Sequence, residues 1–283
     1  MHEPPISARD LTQNFVDRVC ALWRSMQRPI IVGLCGAQGS GKSTLAQASK
    51  QALERQGLRA AVVALDDFYL PREARLTLSL HIHPLLITRG VPGTHDTERL
   101  AECLKQLMQP GFCDLPHFDK AEDTRAKEQT RIETPVDIVL FEGWCVGARP
   151  QPDAALAAPV NRLEAEEDKD GVWRKFVQAQ LAGPYQRLFA SLDVLALLKA
   201  PNFEVVFSWR KQQEEALRAR TGRGLSDVQL VRFIAHYERL TRWILSEMPA
   251  RANWCFPLDD HRHWLAELDS QTLGAVSTAR NPV

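Results

Sequence analysis

Residues 36–44 read GAQGSGKST and follow the apolar run IIVGL at 30–34. An apolar run of that length ahead of a Gly-rich turn is the pattern of a buried strand feeding a loop. Gly36, Gly41, Lys42 and Ser43 fill G-x-x-x-x-G-K-[ST]. Each residue type has a task in that pattern. The glycines let the backbone N–H groups of Gly36, Ala37, Gln38, Gly39, Ser40 and Gly41 turn inward around phosphate oxygens. The helix that follows points its positive end at the same place. Lys42 neutralises the outer phosphates, and Ser43, with Thr44 beside it, offers a hydroxyl to Mg²⁺. The loop therefore predicts a bound nucleoside triphosphate with its metal.

Outward from the loop, apolar spacing predicts a helix from 41 to about 56, ended by Gly57, and a second buried strand at 60–65 that leads to Asp66-Asp67. A third strand is predicted at 136–141, ending at Glu142-Gly143, a fourth at 193–198 and a short last one at 254–258. Helices are predicted at 8–26 (Leu11, Phe15, Val19, Leu22 and Met26), from 94 or 96 to 108, and at 171–189, 203–219 and 226–247. Residues 71–93 read as a long loop, and 150–171, rich in Pro, Ala and acid, as an excursion from the core. Strands alternating with helices predict an α/β fold, a parallel sheet with helices on both faces. Such sheets bind ligands beyond the carboxyl ends of their strands, where Asp66, Asp67 and Glu142 fall. The expected organisation is a single domain over 1–283, with an N-terminal helix in 1–28 and a lid in 209–225.

Composition narrows the class of protein. Among 283 residues, 35 Lys+Arg balance 35 Asp+Glu, which favours neither a nucleic-acid nor a membrane partner. Six scattered cysteines, none at C-x-x-C spacing, predict reduced packing residues rather than a zinc site. No stretch reaches the roughly 18 apolar residues that span a bilayer, and acids among the first twenty residues argue against a signal peptide. A cytoplasmic protein is expected.

Phosphoryl transfer needs a group that orients or deprotonates the acceptor and a second acid for the metal. LDDFYL, 65–70, and VLFEGW, 139–144, supply carboxylates at two strand ends, although a solvated turn and a strand-end salt bridge would use the same residues. Here the chain resembles the uridine kinase, pantothenate kinase and phosphoribulokinase group of P-loop kinases. The resemblance implies the P-loop nucleoside triphosphate hydrolase fold. It makes Asp66 the catalytic base, Asp67 its helper or an outer metal contact, and Glu142 a holder of Mg²⁺ opposite Ser43. TRGVPGTHD (88–96), LPHFDKAEDTR (115–125), FEGWCVG (141–147), FSWRKQQEEALR (207–218) and GLSDVQLVRFIAHY (224–237) narrow the resemblance to the D-glycerate 3-kinase family. That family implies transfer from ATP to the 3-hydroxyl of D-glycerate. Residues 118–125 depart from the plant-type pattern, inside the expected acceptor pocket.

A small hydroxylated, anionic metabolite needs a cation at its carboxylate and acceptors at its hydroxyls. Arg89, His95, Asp96, Lys120 and Arg125 lie in non-periodic segments suited to that work. Each has a plainer reading too: Asp96 as a helix cap, His95 as a core histidine, the cations as surface charge. Arg210, Arg218 and Arg220 are lid candidates for stabilising the transferring phosphoryl group, or else basic helix ends. Two rivals stand beside a glycerate kinase: a kinase of the same fold with a nucleoside, pantothenate-like acid or sugar phosphate as acceptor, and an ATP-dependent assembly factor.

Overall fold

The computed structural model describes residues 8–221 and 224–265. Its main sheet has five strands: β1 (Ile30–Gly36), β2 (Ala60–Ala64), β5 (Ile138–Gly143), β6 (Val194–Lys199) and β7 (Trp254–Pro257), in the spatial order β2-β5-β1-β6-β7. All neighbours pair in parallel. Both faces are covered, which is why these strands read as continuous apolar runs. Ile30, Val32 and Leu34 pack with α1 (Ala8–Met26) and α2 (Lys42–Arg55); Ile31 and Cys35 pack on the other face with α4 (Thr97–Leu107) and α9 (Asp227–Glu247).

Local signals account for the helix ends. α2 closes with Gly57 N–H bonded to Glu54 and Leu58 N–H to Leu53, a Schellman pattern. Ser226 and Gln229 form a reciprocal capping box on α9. The helix predicted at 171–189 is present as α6 (Val172–Gln180) and α7 (Gln186–Phe189), joined by a π turn at Leu181–Tyr185. Pro184, which has no N–H, sits in that turn.

The structure corrects the reading of 71–93 as a loop. It contains α3 (Arg72–His81) and a 3₁₀ turn at Pro84–Ile87. α3 is inside out relative to an ordinary amphipathic helix. Arg75 is buried, 1% exposed, while Leu80 is 75% exposed. Arg75 donates to the carbonyls of Leu70 and Ile87, so a guanidinium, with Leu78 packed on the apolar cluster around Leu85 and Leu86, seats the helix. Sequence patterning also passed over a hairpin of β3 (Gly111–Asp119) and β4 (Thr124–Thr134), a separate two-stranded sheet whose turn approaches the end of β2. The excursion is docked rather than loose. Its helix α5 (Arg162–Glu167) carries Glu164, which accepts from Arg239 of α9 at 2.7 and 2.6 Å, and Arg239 also donates to Ala155 and Ala158 carbonyls.

Glu164→Gln would leave the Arg239 guanidinium buried without its counter-charge, a class of change that costs about 3–5 kcal/mol. The expected result is a large fall in the urea midpoint at unchanged slope; a shift equivalent to less than about 1 kcal/mol would mean that the pair does not seat the excursion.

Candidate active site

Parallel register sets the geometry. Leu34 of β1 and Ala64 of β2 both lie level with Glu142 of β5. Two residues beyond Leu34 the glycine loop opens, and two beyond Ala64 stands Asp66. The loop, Glu142 and Asp66 therefore share one edge of the sheet.

The loop is held from behind. Gly39 has φ 78°, and a β-carbon on it would lie 2.7 Å from that of Trp209; only glycine fits both the angle and the space. Its carbonyl accepts from Arg262 Nε at 2.6 Å, and that guanidinium also bonds Gln212 and lies 5.2 Å from the Trp209 ring centre. Sequence patterning gave no hint of Arg262, which lies 223 residues from Gly39. The front of the loop is open. The N-terminus of α2 has no side-chain cap, leaving first-turn N–H groups for a ligand. The buried amide of Gln38 and hydroxyl of Ser40 have no partner among the described residues. Ser43 donates to Glu142 Oε1 at 2.6 Å, so two oxygens of the kind a hard divalent cation takes stand together. Burial pushes the Glu142 carboxyl up against the opposing pull of Lys42 and the Ser43 bond. These groups fit a nucleotide phosphate with Mg²⁺.

Asp66 bonds two side chains of its own. Its Oδ2 accepts from Lys120 Nζ at 2.8 Å and its Oδ1 from Tyr69 hydroxyl at 2.7 Å. Burial opposes its ionisation, but Lys120, Lys42 and the two bonds together outweigh burial and hold the carboxyl below the ordinary range. Tyr69 is a part of the site that sequence reasoning named only as an aromatic neighbour. Asp67 turns to the hairpin: its Oδ1 accepts from Phe118 N–H at 3.2 Å and its Oδ2 lies 3.8 Å from His117 Nδ1. Burial pushes its carboxyl up. The structure thus brings Asp66 and Lys120 together and gives Asp67 a bond that ties the hairpin to the end of β2.

The other predicted residues divide. Asp96 caps α4 through Oδ1, accepting from Arg99 N–H at 3.0 Å, and pairs with Arg125 through Oδ2. Arg89 pairs with Asp123 at 2.5 Å. His95 is buried, stacked on Tyr69 at 4.7 Å between ring centres, and its Nδ1 lies 2.5 Å from Tyr185 hydroxyl. Burial pushes its pKa down to about 4. In the expected lid, Arg210 on α8 (Glu204–Thr221) pairs with Glu214, and Arg218 donates to the Leu225 carbonyl at 2.5 Å. Both arginines serve the junction of α8 with α9 here. The side chain of Arg220 lies outside the described residues.

The family model for the methylmalonyl Co-A mutase-associated GTPase MeaB matches residues 7–69, the segment holding the phosphate loop and β2. An uncharacterized kinase of Schizosaccharomyces pombe, mug58, is 34% identical over 221 residues, covering 74% of this chain and 79% of that protein. The chloroplastic D-glycerate 3-kinase of Arabidopsis thaliana is 28% identical, covering 74% of this chain and 46% of that longer protein. The solved structure of D-glycerate 3-kinase from Cryptococcus neoformans var. grubii superposes with TM-score 0.78 at 26% identity, covering 92% of this chain and 98% of that one.

A histidine held neutral makes stability depend on pH. Between about pH 6.5 and about 4 the unfolded chain protonates His95 and the folded chain does not, so stability falls as pH falls through that window. The full effect is about 3 kcal/mol. The Tm of the protein should drop more steeply from pH 7 to pH 5 than that of His95→Gln; parallel slopes would show that His95 does not titrate in this way.

Proposed function

This chain belongs to the D-glycerate 3-kinase family of P-loop kinases, and from that premise we propose that it transfers the terminal phosphoryl group of ATP to the 3-hydroxyl of D-glycerate, giving 3-phosphoglycerate. The observation that carries the reading is Asp66, ionised at the end of β2, one sheet edge with the phosphate loop and fixed by Lys120 and Tyr69. A nucleotide switch has no use for a carboxylate held in that way.

In this reading Lys42 and the loop amides Gly36 to Thr44 hold the phosphates, with Gly39 braced by Arg262. Ser43 and Glu142 would hold Mg²⁺, which supplies positive charge to the phosphate oxygens. The acceptor hydroxyl takes over one of the bonds that Asp66 accepts. Its oxygen forms a bond to the γ-phosphorus, the bond from that phosphorus to the bridging oxygen breaks, ADP leaves, and the acceptor proton passes to Asp66. An acid held so far toward its ionised form is a weak base, so Asp66 chiefly orients the alcohol. That suffices for a loose phosphoryl-transfer transition state. The junction of α8 and α9 serves as lid, and the chain works as one kinase domain. A cytoplasmic setting is supported by six cysteines that are all buried and free. No helix among the described residues is long and apolar enough to cross a membrane.

Incubation with ATP, Mg²⁺ and D-glycerate should yield a product with the mass of 3-phosphoglycerate; ATP consumption that responds only to a protein partner would replace this reading with the assembly factor. Asp66→Asn should lower kcat about 10²–10⁴-fold while leaving ATP affinity within a few fold, and unchanged turnover would remove Asp66 from the mechanism.

A further inference from the structure

Both oxygens of Asp66 are engaged before any acceptor arrives, but their donors differ in what it costs to remove them. Tyr69, on Oδ1, is buried, and its ring stacks on His95. A buried hydroxyl stripped of its bond is costly. Lys120, on Oδ2, stands at the other extreme. Its side chain is 57% exposed, so the ammonium can exchange the carboxylate for water at little cost. Of the two bonds, the one to Lys120 is the one that opens.

The arm is loose but its anchor is not. The Lys120 carbonyl accepts from Arg89 Nη2 at 3.2 Å, and the N–H groups of Ala121 and Glu122 both donate to Asp119 Oδ1, at 2.8 and 3.0 Å. Arg89 is itself paired with Asp123 of the same turn. At the root of the turn the Phe118 N–H is held by Asp67, the neighbour of Asp66. A fixed backbone thus offers a flexible four-carbon stem to one carboxylate. Among the described residues the Lys120 ammonium has no second ion pair, so releasing Asp66 breaks no other salt bridge. Lys42 also acts on the Asp66 carboxyl, which therefore lies between a cation of the phosphate loop and a cation of the hairpin.

We propose that Lys120 is a removable cover on Asp66, an autoinhibitory contact that keeps bound ATP from being hydrolysed until an acceptor displaces the ammonium. The inference rests on the reading of Asp66 as the group that receives the acceptor, but not on which acceptor is used. Water and acceptor compete for Oδ2 on unequal terms. A water must displace the ammonium unaided. An acceptor already bound by its other groups presents its hydroxyl at high effective concentration. Without the cover, a water oriented by Oδ2 reacts instead. Its oxygen forms a bond to the γ-phosphorus, the bond from that phosphorus to the bridging oxygen breaks, and ADP leaves. The water's proton passes to Asp66, and the product is inorganic phosphate. The productive reaction loses little to the cover, since a hydrated ammonium has only to swing aside.

The test measures ADP and inorganic phosphate released by the full chain from ATP and Mg²⁺ with no acceptor present. Lys120→Met keeps the stem and removes the charge. It should raise this hydrolysis about fivefold or more, the size of an exposed ion pair, with Kd for ATP within about twofold and Tm little changed. Lys120→Arg, which restores a cation at the same place, should keep hydrolysis low. Lys120→Met combined with Asp66→Asn should lose the gain, because the water then has no carboxylate to orient it. Unchanged or lower hydrolysis in Lys120→Met, or a gain that survives in the double variant, would overturn the cover even where Asp66→Asn abolishes transfer to D-glycerate. Undiminished transfer in Asp66→Asn alone would remove the reading of Asp66, and the cover with it.

Discussion

Everything at the active edge follows from the parallel alignment of β2, β5 and β1. Parallel strands pair residue for residue, so once Glu142 lies level with both Leu34 and Ala64, the points where the chain leaves each strand are fixed relative to one another. The phosphate loop, the Ser43–Glu142 bond and Asp66 are three exits from one buried layer. A slip of one residue in β5 would turn Glu142 to the opposite face and part it from Ser43. Apolar packing on both faces opposes such a slip, so the chemistry borrows its placement from burial that has nothing to do with phosphate.

The charges are arranged with the same economy of contact. Nearly every acidic group near the site already faces a cation or an N–H group: Asp66 with Lys120, Asp96 with Arg125 and the α4 terminus, Asp67 with the Phe118 amide. Buried or half-buried carboxylates tolerate ionisation only under such conditions. Much of the polar architecture is therefore preorganised before any ligand arrives, and binding rearranges existing bonds instead of ordering free side chains.

What could be read in the sequence follows from where periodicity survives. β1, the glycine loop and α2 stand out because a continuous apolar strand meets a turn with a fixed residue spacing. α9 stands out because its buried positions recur at helical intervals behind a Ser226 cap. Asp96 showed that a plain reading and a richer one need not compete, since one carboxylate oxygen caps a helix while the other takes a guanidinium. α3 escaped because its buried residue is Arg75 while Leu76 and Leu80 face outward, which breaks the expected stripe. The hairpin escaped because β4 buries only Thr134, leaving no alternation of apolar and polar positions to detect in that strand. Arg262 and Asp123 act through long-range partners, which a local pattern does not encode. The role of the excursion also lay in a distant pair, Glu164 with Arg239.

The brace on Gly39 has a temporal side. A ribosome completes the glycine loop and its following helix early, yet the arginine that grips the loop's carbonyl emerges only after strand β7. Until then the nascent chain holds the nucleotide motif without its backing, and the Trp209 wall against which Gly39 packs is itself late. Contacts so far apart along a chain close late in folding. The backing of the glycine loop is thus complete only once the residues after β7 have joined it, and the signature motif does not contain it.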